Sequence, residues 1–364
     1  MAQDVSLPKL LDAKLQSLVD AQSREFAPLG PDAQSLTTHA ASFLSGGKRL
    51  RAEFLAAGYR SVHRCPISTT FPTCVLEAAA ALELFHAAAL AHDDVIDRSD
   101  TRRGAPSSHR HFEAQHRGLG WASDAEHFGE SAAIIFGDLL LVWSDECFIE
   151  ATLAAVSPEA GRRAREEFRR MRAEVAAGQY LDLVEEVAWP TVPVAELDTR
   201  ARRVATAKSA RYSVESPLVL GALLAGADDE HVERIRAFGL PLGLAFQFRD
   251  DILGVTGDSA VTGKPAGDDL REGKRTVLIA HAMEASDAEG RAWFEARLGH
   301  PGLSEAEVHE MINKLETLGA FEYVEREIER LLSEAHEKLE AAELDEQSHE
   351  LLMRLAERTA RRHV

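Results

Sequence analysis

Cysteine is scarce in this chain, and positive charge is in deficit. Its 364 residues hold only Cys65, Cys74 and Cys147, an odd number without CxxC spacing, which argues against a disulfide framework and against a zinc knuckle. Lys and Arg total 41 against 60 Asp and Glu, and the net charge of -19 leaves no general basic surface for nucleic acid or an anionic membrane. An anionic substrate therefore requires a locally positive pocket. The N-terminus, MAQDVSLPKL, lacks the basic start and apolar run of a signal peptide, and the apolar segment 217–227 is too short to span a bilayer. No transmembrane segment is expected, and the cytoplasm is the default location. Alternating Val/Ile/Thr strands, repeats of fixed period and low-complexity tracts are also absent.

What remains is helix. Apolar residues recur at three- and four-residue intervals among Ala, Leu, Glu and Arg, so the fold class is all-α. Breaks fall at Pro31, 66–72, 99–125, Ser157-Pro158, 190–193, 226–229, 254–273 and 300–302. No linker demands two independent units, and a single large helical bundle over residues 1–364 is expected. The breaks at 99–125 and 254–273 are long, charged and next to acidic motifs, which suits lids or phosphate-binding loops. His109, His111 and His116 in the first of them have no common metal spacing and read as solvent-exposed.

The strongest motif is HAAALAHDDVIDRSDTRRG, residues 86–104. His86, Asp93 and Asp97 stand at i, i+7 and i+11, within about 40° on a helix surface. The preceding CVLEAAAALELFHAAALAH is apolar enough to demand burial, where Asp93, Asp94 and Asp97 would repel one another without a cation. Hard oxygen ligands favour Mg²⁺. A second pair, Asp250 and Asp251 in FQFRDDILGV, again follows an apolar helix. If the two helices face each other, their carboxylates could clamp Mg²⁺ around a diphosphate. SGGKRLR at 45–51 places Lys48 and Arg51 on one helix face behind two glycines, while Arg102, Arg103, Lys208, Lys264 and Lys274 lie beside the acidic clusters. Neither GGKRLR nor VTGKPAG meets the Walker A pattern.

In the order GGKRLR, HAAALAHDDVIDRSDTRRG, GQYLDL, AKSA, FQFRDDILG and GKPAGDDLREGKRT, the chain from about residue 35 to 280 resembles the trans-isoprenyl diphosphate synthases. The resemblance implies a helical bundle of isoprenoid synthase type with a central apolar cavity. Lys48, Arg51, His86 and Arg103 would then hold the diphosphate of isopentenyl diphosphate, and Arg102, Lys208, Gln247 and Lys264 that of the allylic substrate. Asp93, Asp97 and Asp250 would be the main ligands of Mg²⁺, three ions per site, with Asp94 and Asp251 acting indirectly. Gln179 and Asp182 would line the cavity, Ser209 would accompany Lys208, and Asp269 and Lys274 would belong to a closing loop. A homodimer is implied as well. The departure is Gly254, where many members carry a third aspartate, four residues past Asp250 on the same face.

In this family the residues before the first motif limit product length. Ala88 and Ala89 leave room, and Phe85 is the first large group, about 12 Å back along the helix. Phe85 is one candidate floor of the pocket and Phe136 another. Geranylgeranyl diphosphate is the expected product, with farnesyl diphosphate or longer products as alternatives. A class I terpene cyclase is opposed by GGKRLR, and a silent partner subunit by the intact Asp93, Asp94 and Asp97. Arg361 and Arg362 at the C-terminus have only a weak claim to a role in covering the site.

Overall fold

The computed structural model describes residues 6–63, 71–257 and 266–360. The helices are α1 (Leu7–Phe26), α2 (Pro31–Phe43), α3 (Leu50–Arg60), α4 (Thr73–Ile96), α5 (Ser108–Leu119), α6 (Ala125–Leu153), α7 (Pro158–Ala188), α8 (Leu197–Val204), α9 (Ser216–Leu224), α10 (Asp229–Thr256), α11 (Asp268–Glu272), α12 (Val277–Ala285), α13 (Ala288–Glu295), α14 (Glu305–Thr317), α15 (Ala320–Glu340) and α16 (Glu346–Ala360). The only strands among the described residues are Thr101–Arg102 and Ala105–Pro106, which pair with each other. The all-α expectation holds.

Two compact units emerge. One comprises Met1–Asp100, Pro106–Glu167 and Pro217–Val232, the other Thr101–Ala105, Phe168–Ser216 and Glu233–Val364. In the first, α4 packs on α6, α3 and α1, and its run from Ala78 to Phe85 is buried on every side. Small side chains make this possible, since alanine lets helix backbones approach closely without sacrificing helix propensity. Ser144 Oγ of α6 donates to the Ala81 carbonyl at 2.7 Å, and His92 Nε2 lies 3.1 Å from the Ile134 carbonyl. Among the described residues α4 is long and apolar enough to cross a membrane, yet 72% of its most apolar window is buried within the protein. It is a core helix, as its composition predicts.

In the second unit α12 packs on α8 and α15, and α15 packs on α14 and α16. Local signals start these helices. Thr276 caps α12 by accepting from the Ile279 amide, and Ser304 with Glu307 forms a reciprocal capping box on α14. Arg202 fastens α8 to α15 through Tyr323 Oη at 3.0 Å and Glu327 at 3.0 Å. Arg249, next to Asp250, forms a two-pronged pair with Glu325 of α15 at 2.5 and 2.7 Å.

Two expectations about loops need correction. The stretch 99–125 is not one long loop, because α5 occupies its middle. His109 and His116 are accordingly buried rather than solvated: His109 Nδ1 is 3.2 Å from Ser107 Oγ, and His116 Nε2 is 3.0 Å from the Ala122 carbonyl. Only His111 of the three is exposed. Lys48 and Arg51 do not share a helix face either, since α3 begins at Leu50 and Lys48 lies in the non-helical approach to it. Cys74 and Cys147 are free and buried, and Cys65 lies outside the described residues.

Candidate active site

In the first unit the site is built on the end of α4. The backbone amide of Asp97 bonds the Asp93 carbonyl at 2.8 Å, which carries the helical repeat one residue past Ile96. His86, Asp93 and Asp97 therefore form the stripe that their spacing predicts. All three are half-buried, whereas Asp94 is wholly buried. Ala89 and Phe85 continue from Asp93 at four-residue steps along one side of the helix. Ala88 is fully buried and Phe85 is 6% exposed. Phe136 does not join them. Its ring packs against His39, Phe43 and Phe112, and on α6 it lies beside Ile134, which meets α4 at His92. Phe136 thus belongs at the level of the acidic motif, not below Phe85.

The cradle ahead of α3 depends on a residue that sequence reasoning passed over. Gly46, Gly47 and Arg49 all have positive φ, at 69°, 95° and 50°, and this turn sends Arg49 inward while Lys48 stays exposed. Arg49 is buried. It donates to Glu83 of α4 and to Asp12, each at 2.8 Å, and to the Leu44 carbonyl at 2.6 Å. Of the three cations of GGKRLR, Arg49 anchors the turn to α4, Lys48 is exposed and Arg51 is half-buried. Arg103 and Gly104 form the corner of the small hairpin with φ of 53° and 75°, the pattern of a type I′ turn. Arg103 is exposed there, and Arg102 is half-buried.

In the second unit a π-helical segment, Ala205–Glu215, carries Lys208 and Ser209. Such segments recur at functional sites. Two glycines seat it: a Cβ on Gly178 of α7 would fall 2.4 Å from the Lys208 amide nitrogen, and one on Gly243 of α10 would fall 2.3 Å from the Ala210 carbonyl oxygen. One turn further along α7 stands Asp182, and one to two turns further along α10 stand Gln247, Asp250 and Asp251. Lys208 Nζ meets Asp182 Oδ2 at 2.6 Å, and Lys274 Nζ approaches the same oxygen at 3.5 Å. Gln179 is half-buried on α7. Lys264 lies outside the described residues.

Asp251 is 6% exposed, and its carboxyl titrates well above the usual carboxylate range. Burial is the main cause; Asp269, Asp250 and Asp182 add repulsion, and only the Gln247 amide, donating at 2.6 Å, opposes them. Four carboxyl groups so placed need a cation to ionise together. Oxygen donors alone suit Mg²⁺. Among the described residues no three His, Cys, Asp or Glu side chains close on a point as a ready-made cage. Mg²⁺ does not require one, because it retains water and takes substrate phosphate oxygens.

A family model described as polyprenyl synthetase matches residues 33–315. The chain belongs to this family. Among solved structures it is similar to a geranylgeranyl pyrophosphate synthase from Corynebacterium glutamicum complexed with isoprenyl diphosphate and magnesium, at 37% identity and a TM-score of 0.90, covering 99% of this chain and 100% of that one. Among curated relatives it is 30% identical over 337 residues to a geranylfarnesyl diphosphate synthase from Aeropyrum pernix, covering 92% and 96% of the two chains. It is 32% identical over 304 residues to a farnesyl diphosphate synthase from Geobacillus stearothermophilus, covering 82% and 92%. As a polyprenyl synthetase with the isoprenoid synthase fold, the chain is a trans-prenyltransferase. The relatives make products of different length, so membership in the family leaves product length to be argued from this chain's own residues.

Proposed function

We propose that this polyprenyl synthetase condenses isopentenyl diphosphate with allylic diphosphates head to tail, and that geranylgeranyl diphosphate is its product. The observation that carries this reading is the cluster of Lys208 and Lys274 on Asp182, with Asp250 and Asp251 among its neighbours. It provides cations for a diphosphate and carboxylates for the metal that accompanies one. Asp93, Asp97 and Asp250 would hold Mg²⁺, with Asp94 and Asp251 acting indirectly, and three ions per site is the number the family resemblance implies. Bound Mg²⁺ supplies Lewis-acid stabilisation of the departing diphosphate.

The chain's own groups do the rest. As the allylic C–O bond breaks, the diphosphate leaves with the electron pair, and Lys208, Arg102 and Lys264 meet its growing charge. Lys48, Arg51, His86 and Arg103 hold isopentenyl diphosphate so that its C=C bond attacks the cation, after which the released diphosphate takes the proton lost from the neighbouring carbon. The buried apolar wall of α4 keeps water from the cation. Ala88 and Ala89 admit the growing chain and Phe85 stops it.

The two compact units act as one catalytic domain, a reading supported by the Corynebacterium relative's alignment over 99% of the chain. The enzyme works in the cytoplasm as a homodimer. Ile135, Val142 and Ile149, seven residues apart on α6, are 59%, 54% and 52% exposed and offer one apolar row for a second copy. Incubation with Mg²⁺, isopentenyl diphosphate and dimethylallyl, geranyl or farnesyl diphosphate in turn tests the function. A C20 alcohol after dephosphorylation is expected. A C15 or much longer limit overturns the product assignment, and no elongation with any starter overturns the condensation.

A further inference from the structure

The turn between α2 and α3 consists of Ser45, Gly46, Gly47 and Lys48, all exposed, so burial does little to fix its path. Gly46 and Gly47 both have positive φ, and glycine is the residue with most freedom to leave any one conformation. Arg49 follows with a φ of 50°, a left-handed value that a residue with a side chain keeps only where its surroundings hold it. Here the guanidinium does the holding. Nη1 donates to Glu83 Oε2 at 2.8 Å, Nη2 to Asp12 Oδ1 at 2.8 Å and to the Leu44 carbonyl at 2.6 Å, and Nε to the same Asp12 oxygen at 3.2 Å.

One buried group thus ties together α1, the C-terminal end of α2 and α4, and closes the turn between Leu44 and Arg49. The Arg49 carbonyl accepts from the Glu53 amide at 3.1 Å, which starts the helix that carries Arg51. Glu83 is the informative partner. Its side chain is 5% exposed in an otherwise apolar stretch of α4, where a carboxylate is costly unless paired. It stands three residues before His86, on the same side of the helix. The link from Arg49 to Glu83 therefore sets the turn that carries Lys48 against the helix that carries His86.

We propose that Arg49 is a positioning residue for isopentenyl diphosphate: through Glu83 it registers Lys48 and Arg51 against His86 without touching the substrate itself. The assignment rests on the condensation reading above. It gives the buried ion pair to one of the two substrates, because the groups proposed to hold the allylic diphosphate lie outside this turn.

The test compares Arg49→Met, Arg49→Met/Glu83→Gln and Glu77→Gln, with melting temperature and with kinetics in which isopentenyl diphosphate and farnesyl diphosphate are varied in turn. Arg49→Met strands the Glu83 charge in the core and should lower the melting temperature; the double variant removes that charge and should recover much of it. KM for isopentenyl diphosphate should rise about tenfold or more in both, while KM for farnesyl diphosphate stays within about twofold. Glu77→Gln breaks the Lys14–Glu77 pair, which joins α1 and α4 away from the turn, and should leave both KM values as in the wild type. A KM for isopentenyl diphosphate that returns to normal with the melting temperature in the double variant, or rises equally in Glu77→Gln, would show that Arg49 serves the fold alone and overturn the assignment. Unchanged KM values in Arg49→Met overturn it too. If the wild type condenses no starter, the condensation reading fails and this assignment fails with it.

Discussion

Lys208 and Asp182 form an ion pair at 2.6 Å, and a second lysine, Lys274, shares the same carboxylate oxygen. One buried anion thus holds two partly buried ammonium groups side by side before any substrate arrives. Their mutual repulsion is stored in a geometry that suits a more highly charged ligand. A diphosphate bridging the two lysines would complete what Asp182 begins.

Asp182→Asn keeps the shape and removes the charge, leaving the two lysines opposed. Metal-free protein should lose about 1–3 kcal/mol of stability in urea denaturation. Lys208→Ala should instead leave folding nearly intact and lower kcat by about 10² to 10³, measured with a saturating allylic substrate. Unchanged kcat in Lys208→Ala would remove that lysine from the chemistry.

Product length should follow the side of α4 that runs from Asp93 through Ala89 to Phe85. Ala89→Phe places a ring one turn from Asp93 and is expected to stop growth at C15 or earlier. Phe85→Ala is expected to shift the limit beyond C20. Chromatography of the dephosphorylated alcohols reads both, and an unchanged product in both variants would place the floor elsewhere.

His39 gives the protein a distinct acid sensitivity. Its ring is buried, bonds Ser108 Oγ at 2.9 Å and stacks on His111 at 4.1 Å. Burial, then the charge of His111, lower its pKa to about 3 from 6.5. The unfolded chain therefore binds this proton more readily than the folded one. The stability that His39 confers as a neutral ring is complete above pH 6.5 and is lost as pH falls from there toward 3. Melting temperatures between about pH 6.5 and 5, above most carboxylate titrations, should fall in the wild type and stay flatter in His39→Phe. An identical slope in the two proteins would contradict the assignment.

Much of this was legible in the sequence, for identifiable reasons. The His86–Asp93–Asp97 stripe follows from helical periodicity alone, and the burial of α4 follows from its composition. Local signals could not say that Arg49 turns inward to Glu83, because a loop with three positive φ values decides which cation faces the core. Nor could they say that His109 and His116 are buried, since the charged stretch around them reads as loop until α5 packs on α6.

In the proposed reaction, carboxylates of both acidic motifs would hold the metal that activates an allylic diphosphate. The measurement that tests it most directly is the Mg²⁺-dependent rate of isopentenyl diphosphate condensation in wild type, Asp93→Ala and Asp250→Ala, with circular dichroism confirming the fold of each. Each substitution is expected to lower kcat by at least about 10² while the helical signal is retained. A folded Asp93→Ala or Asp250→Ala enzyme that condenses its substrates at the wild-type rate would contradict it.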